Sequence, residues 1–311
     1  MTKPAPRFLY LDQRILPAEK ASISPFDQGL LYGASLFTTF PVLPDGKIPF
    51  WPDHQRRLRQ GARALGLALP PEFLLQQPPA KVAATLGDLL AKNQFSETGA
   101  LGRYRLTAGE AGLGLPGNLE LSSPREIIDL RPLPPRPSQP LELHRLQTTR
   151  DAGEGTPRLK TGSYLNSWLG HRELAARQLP PHGEGLFLNA GGFISEGLIN
   201  NVFWIRGNRL ETPSPDTGCL PGLTRQWVLD FAAAQDLEFA EGQYPLSHLQ
   251  DHAEALFCTN AVKGLQPVSL LKTAHGRQLK QFSPHHPLLV HLHKAYASAR
   301  QESLRIFRPP A

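Results

Sequence analysis

Two residues in this 311-residue sequence have side chains suited to carbonyl chemistry: Lys160, in the polar segment RLKTGSYLNSW, and Glu196, in GGFISEGLINNVFW. A lysine amine forms a Schiff base with an aldehyde cofactor, and a carboxylate keeps a pyridine nitrogen protonated. Together they describe a site for pyridoxal 5'-phosphate, and therefore an enzyme rather than a binding module. Taken singly neither residue carries the argument, because most lysines are solvated charges and most hairpin glutamates face water. Two further segments change the weighting. In WPDHQRRLRQGARALGL, His54, Arg57 and Leu58 open an amphipathic helix, and an arginine there offers a bidentate fork to a phosphate. In DTGCLPGLTRQWVLDFAAAQ, Pro221 and Gly222 precede a helix with Trp227, Val228, Phe231 and Ala234 on one face. The amides of Leu223 and Thr224 then lack helical partners, and a helix N-terminus with such amides and a threonine hydroxyl favours an anion.

The ordered set FDQGLLYGASLFTTF, His54-x-x-Arg57-Leu58, Lys160-x-x-x-Tyr164-Leu165-Asn166, Glu196-Gly197, Asn201-Val202-Phe203, Leu220-x-Gly222-x-x-Arg225 and FCTNAVKGLQPV spans nearly the whole chain. It resembles the class IV (fold type IV) pyridoxal phosphate enzymes, which include branched-chain and D-amino acid aminotransferases and aminodeoxychorismate lyases. Position by position, the resemblance implies Lys160 as the Schiff-base lysine and acid–base, Glu196 as partner of the pyridine nitrogen, Tyr164 near the ring hydroxyl, and phosphate among Arg57, Leu223, Thr224 and Thr259. Tyr164 and Thr259 rest on the resemblance. For Tyr164 a second reading stands beside it: the residue begins a helix with Leu165, Trp168 and Leu169 on one face, which suits a core or capping role equally.

Within the family two features lean towards the lyase that makes 4-aminobenzoate, a folate precursor, from 4-amino-4-deoxychorismate. Thr38, in Phe37-Thr38-Thr39, stands where aminotransferases of the group commonly carry an acidic residue or glycine. A hydroxyl close to the lysine would relay or orient a proton without adding charge, although threonine is also favoured in strands for its own sake. The segment Phe257-Cys258-Thr259-Asn260-Ala261, completed by Gly264, Pro267 and Val268, looks like the lyase group's T-N-x-x-x-G-x-x-P-V. The expected reaction is elimination of pyruvate, with Lys160 taking the proton from the amine-bearing carbon; the alternative is transamination of branched-chain L-amino acids or D-amino acids. One departure concerns the carboxylated substrate: where many relatives have an arginine before the glycine that ends this strand, Ala108 precedes Gly109. Arg103 or Arg105, on one face of that strand by alternation, would then meet a carboxylate, and a salt-bridged surface role competes for at least one of them.

Composition agrees with a soluble, cytoplasmic enzyme. The formal charge of +6 suits anionic substrates; nucleic acid is a distant alternative because the basic residues are dispersed. Two cysteines, Cys219 and Cys258, fit reduced thiols, and eleven histidines offer no metal-ligand spacing. The N-terminal MTKPAPRFLYLDQRILP lacks a signal-peptide core, and no stretch approaches a membrane span.

These residues need a scaffold, which the pattern predicts to be α+β in two domains. Strands around 8–16, 35–42 and 100–107 alternate with helices around 53–66 and 79–93 in a small N-terminal domain, 1–130. A proline-rich linker, RPLPPRPSQP at 131–140, follows. Residues 141–311 then carry strands around 141–149, 185–190, 193–196 and 201–212, with helices at 223–235 and 285–305. By resemblance the first domain is a small α/β sandwich-like unit and the second a larger barrel-like β domain with helices, carrying the lysine, as in the D-amino acid aminotransferase-like fold. The cofactor is expected in the interdomain cleft, and a homodimer is expected from the resemblance alone. A relative that kept the fold and lost its chemistry is disfavoured, since Lys160, Glu196 and Arg57 would then be costly polar groups without a use.

Overall fold

The computed structural model describes residues 7–111, 114–115, 123–135, 138–151, 155, 157–177, 179–180 and 182–307. Arg136 and Pro137 of the expected linker lie outside them, as do residues 1–6. The chain forms two compact units, one of Met1–Pro135, Lys160–Ser163 and Ala299–Ala311, the other of Arg136–Leu159 and Tyr164–Ser298.

The first unit contains β1 (Phe8–Leu11), β2 (Arg14–Pro17), α1 (Gln28–Leu31), β3 (Ser35–Val42), α2 (Trp51–Ala64), α3 (Pro79–Lys92), β4 (Ala100–Thr107) and β5 (Arg125–Arg131). Its five-stranded sheet has the order β2-β1-β5-β4-β3, antiparallel throughout. The single strand expected at 8–16 is a hairpin, closed by Asp12 and Gln13, both with positive φ. Two such residues make a primed turn that matches strand twist, and neither is the glycine that usually signals one. β5 escapes the sequence pattern because its middle five residues are all buried, which erases the alternation expected of a half-buried strand. β4 shows that alternation in full, burying every second residue. α2 begins after Phe50, with Pro52 in its first turn, and buries Trp51, His54, Leu58, Gly61 and Ala62 at helical spacing.

The second unit contains β6 (Leu141–Arg145), α4 (Leu165–Ala175), β7 (Gly183–Leu188), β8 (Ile194–Gly197), β9 (Asn201–Arg206), β10 (Arg209–Pro213), α5 (Leu223–Ala234), β11 (Glu238–Gly242), α6 (Leu246–His252), β12 (Ala255–Asn260), β13 (Gly264–Lys272), β14 (Gln278–Gln281) and α7 (Pro287–Glu302) up to Ser298, the rest of α7 belonging to the first unit. Nine strands form one sheet, ordered β11-β10-β9-β12-β13-β6-β7-β8 with β14 on β13. The last strand of that path, β8, returns against β9 and β10, so the sheet curls. A core of Leu141, Leu143, Leu186, Ile194, Val202, Trp204, Leu256 and Val268 fills one face. Among the described residues no helix is long and apolar enough to cross a membrane.

The lysine is expected in the second domain, but Lys160–Ser163 groups with the first unit. The cause is backbone pairing. Thr161 bridges Leu36 in antiparallel sense, Phe37 N–H donates to the Lys160 carbonyl at 3.0 Å, and Gly162 N–H donates to the Ser35 carbonyl at 2.9 Å. The segment is thus a short added strand on β3.

Candidate active site

Side chains alternate along β3, and directly opposed residues of antiparallel neighbours share a face. Leu36, Thr38, Phe40 and Val42 therefore point to one side, where α2 packs, and all four are buried. Phe37 and Thr39 point to the other side. Opposite them on β4 stand Arg105 and Arg103, and the register of the added strand puts Lys160 beside Phe37. The Lys160 ammonium lies 4.5 Å from the centre of the Phe37 ring, and the Arg103 guanidinium lies 5.1 Å from the same ring. Arg105 is bonded to Asp129 at 2.6 Å, which Arg131 also reaches at 3.2 Å.

Thr38 is on the face of β3 opposite to that of Phe37. Its hydroxyl is on the α2 side, accepting from Arg57 Nη2 at 2.5 Å and lying 2.6 Å from His54 Nδ1. A hydroxyl has one hydrogen; with arginine donating to the oxygen, that hydrogen goes to Nδ1, which leaves the imidazole proton on Nε2. His54 is held neutral, its pKa pushed far below the usual range by burial first and then by the charges of Arg57 and Lys160. The threonine on the lysine's face is Thr39. Identical neighbours in a strand cannot be told apart from sequence until the strand's phase against the helix is known.

Arg57 is partly exposed, yet its Nε is enclosed without a protein partner and burial draws its pKa down to about 10. Among the described residues no carboxylate pairs with it. A half-enclosed guanidinium with unused donors suits a phosphate.

In the second unit Glu196 is buried. Its Oε2 accepts the Leu220 N–H at 2.8 Å, and its Oε1 accepts from Arg158 and lies 3.1 Å from Arg150 Nη2. The Arg150 contact is an ion pair without hydrogen-bond alignment. Arg150 is itself fixed by Asn166 Oδ1, 2.5 Å from its Nη1, and by the Phe187 ring, 3.8 Å away. A carboxylate has about four lone-pair sites, so Oε2 retains capacity for one more N–H donor, such as a pyridinium. Neither arginine stands out in the sequence; their only signal is charge near Lys160. Tyr164 stands at the N-cap position of α4 without a side-chain capping bond and is 39% exposed, and Leu165, Trp168 and Leu169 are exposed too, so the expected core face of this helix is outside the core.

The remaining residues expected at the phosphate also belong to this unit. α5 starts at Leu223 behind Gly222, whose side-chain-free backbone makes no cap, so the amides of Leu223 and Thr224 are not capped from there. Glycine is required at 222 because a Cβ would lie 2.1 Å from Asn201 Oδ1; Asn201 in turn donates to the Leu220 carbonyl at 2.7 Å. The Thr259 hydroxyl is buried with no protein partner. Asn201 and Thr259 are opposed in the β9–β12 register, so Thr259 shares a sheet face with the residue that ties down the α5 entry. A buried hydroxyl without a partner is costly unless something binds it. Beside this set, Glu184 accepts the amides of Leu198 at 2.5 Å and Ile199 at 3.3 Å, fixing the turn that follows Glu196. Burial pushes its carboxyl up to about 7.

A sequence profile of amino-transferase class IV matches residues 35–271. The aminodeoxychorismate lyase of Bacillus subtilis (strain 168) is 33% identical over 267 residues, covering 85% of this chain and 86% of that protein. Among solved structures, the 4-amino-4-deoxychorismate lyase from Pseudomonas aeruginosa matches with a TM-score of 0.75 at 24% identity, covering 93% of this chain and 98% of that one. The branched-chain aminotransferase from the thermophilic archaeon Thermoproteus uzoniensis, solved with norvaline, matches with a TM-score of 0.77 at 20% identity, covering 97% of each chain. The fold is that of these enzymes, as the sequence motifs implied. This chain is an enzyme of the class IV aminotransferase family.

Proposed function

We propose that the enzyme is a pyridoxal 5'-phosphate-dependent 4-amino-4-deoxychorismate lyase that releases pyruvate and forms 4-aminobenzoate for folate biosynthesis in the cytoplasm. The observation that carries the reading is the face of β3 and β4 that presents Lys160, the Phe37 ring, the Thr39 hydroxyl and Arg103 together. Such a face offers a base, a neutral hydroxyl and a carboxylate-binding cation to a carboxylated ring amine. Similarity to the Bacillus subtilis lyase supports the same choice.

Arg57, the Leu223 and Thr224 amides, and the Thr224 and Thr259 hydroxyls would hold the phosphate, with Glu196 on the pyridine nitrogen and Tyr164 near the ring hydroxyl. When bound, the pyridine ring supplies an electron sink. Lys160 Nζ removes the proton from the amine-bearing ring carbon. The carbon–oxygen bond to the enolpyruvyl group then breaks, the ring becomes aromatic, and the enol takes up a proton to leave as pyruvate. Thr39 orients Lys160 Nζ through its hydroxyl without adding charge. Arg103 or Arg105 binds a substrate carboxylate as a guanidinium fork; Arg105 is also bonded to Asp129. The Thr38 hydroxyl orients Arg57 rather than the lysine.

Transamination is the second reading, favoured by the aminotransferase structure of the same fold; it would use the same lysine and require a 2-oxo acid acceptor. A second copy of the chain is proposed to cover Phe26, Leu30 and Tyr32 of the first unit and Leu165, Trp168 and Leu169 of the second, which are 45–69% exposed and too apolar to be left in water. Size-exclusion chromatography with light scattering tests the dimer. The activity is tested by supplying 4-amino-4-deoxychorismate, made in situ from chorismate and glutamine. Equal amounts of 4-aminobenzoate and pyruvate, both lost in Lys160→Ala, are expected. Turnover of an amino acid with a 2-oxo acid, and no 4-aminobenzoate, would overturn the lyase reading in favour of the aminotransferase.

A further inference from the structure

The C-terminal helix α7 has no part in the reading above, yet one of its residues reaches the proposed phosphate site. Tyr296 is buried, with its hydroxyl 3.3 Å from Thr224 Oγ1. Its ring stands edge-on to Trp227, centroids 4.9 Å apart, and Trp227 is one turn along α5 from Thr224. On its other side the ring meets Gly264, where φ is +72° and a Cβ would lie 2.8 Å from Tyr296 Cε1. Gly264 is opposed to Asn260 in the β12–β13 register, next to Thr259. One side chain thus touches the helix that carries Thr224 and the β13 residue that pairs with β12 beside Thr259.

Resting on the proposed cofactor, we infer that Tyr296 is a positioning residue of the phosphate site, directing the Thr224 hydroxyl and fixing the spacing between the Thr224 and Thr259 segments. The direction follows from hydrogen count. A phenol is a better donor than an aliphatic alcohol; when it donates to Thr224 Oγ1, the single threonine hydrogen must find another acceptor. A phosphate oxygen is such an acceptor, and a hydrogen bond to an anion is stronger than one between neutral groups. Without the phenol, the threonine hydroxyl is free to turn back to a carbonyl in the preceding turn.

The test is titration of the apo-enzyme with pyridoxal 5'-phosphate and, separately, with pyridoxal, following the visible absorbance of the lysine-bound cofactor. Tyr296→Phe keeps the ring and its packing. It is expected to weaken pyridoxal 5'-phosphate binding about fivefold, the effect of one such hydrogen bond, while pyridoxal binding and the thermal midpoint of the apo-protein stay unchanged. In a Thr224→Val background the same substitution is expected to add nothing. Equal weakening of both ligands, no weakening of either, or full additivity with Thr224→Val would overturn the assignment. A wild-type enzyme that binds neither ligand would overturn the cofactor reading itself.

Discussion

Arg57 in the first unit and Glu196 in the second carry opposite charges, and the protein treats them differently. Arg57 receives a threonine oxygen and a neutral histidine for company, with no carboxylate among the described residues. Glu196 receives two guanidinium groups and a backbone amide. The first arrangement leaves positive charge to be satisfied by a ligand; the second settles its charge before any ligand arrives. The contrast follows from cost: a charge kept without a counter-ion is tolerated where it is partly exposed, as at Arg57, and paired where it is enclosed, as at Glu196.

Four sets of substitutions probe that contrast. The largest effect is expected from Lys160→Ala, which should remove the lysine-bound cofactor absorbance and lower turnover about 10³–10⁴-fold, as loss of a general acid–base does; retained absorbance would reassign the lysine. Next is Glu184→Gln, because Glu184 is an enclosed carboxylate given amides and, among the described residues, no guanidinium. Its folded pKa of about 7 lies above the ordinary carboxyl value of 4.5. Between those values the unfolded chain loses a proton that the folded one keeps, so stability falls as pH rises and the full cost, about 3 kcal/mol, applies above pH 7. The glutamine variant should be more stable than wild type at pH 8 and equal to it near pH 4 in urea unfolding. An equal gap at both pH values would show that Glu184 titrates as if exposed. Arg57→Met should weaken pyridoxal 5'-phosphate by about 2 kcal/mol, the worth of a charge-assisted contact, while changing apo-protein stability by less than about 1 kcal/mol. A large stability loss instead would mean that Arg57 is structural. The smallest effect separates the two threonines. Thr39→Val should lower turnover about tenfold with cofactor affinity unchanged, and Thr38→Val should do the reverse, weakening the cofactor by about 1 kcal/mol. Reversed outcomes would restore Thr38 to the lysine.

The sequence made legible what depends on local order. The helix expected at 223–235 is α5, and its glycine entry and uncapped amides stand where Pro221-Gly222 implied. α2, with Arg57 on it, is visible from apolar periodicity. What depends on distant partners is not legible. Arg150 and Arg158 meet Glu196 only through the fold of the second unit, and β12, with all but its last residue buried, carries no alternation to betray it. The lysine's place in the first unit arises from main-chain pairing, to which side-chain identity is nearly indifferent.

That pairing has another consequence. β3 is the last strand of its sheet, and an open last strand is a template on which other chains can add and aggregate. Residues 160–162 occupy that rim, so the segment that carries Lys160 also guards the protein against edge-to-edge aggregation. Lys160→Ala leaves the guard in place because only main-chain atoms form it. A proline at 162 would withdraw the N–H that Ser35 accepts, and the protein would then lose solubility together with catalysis.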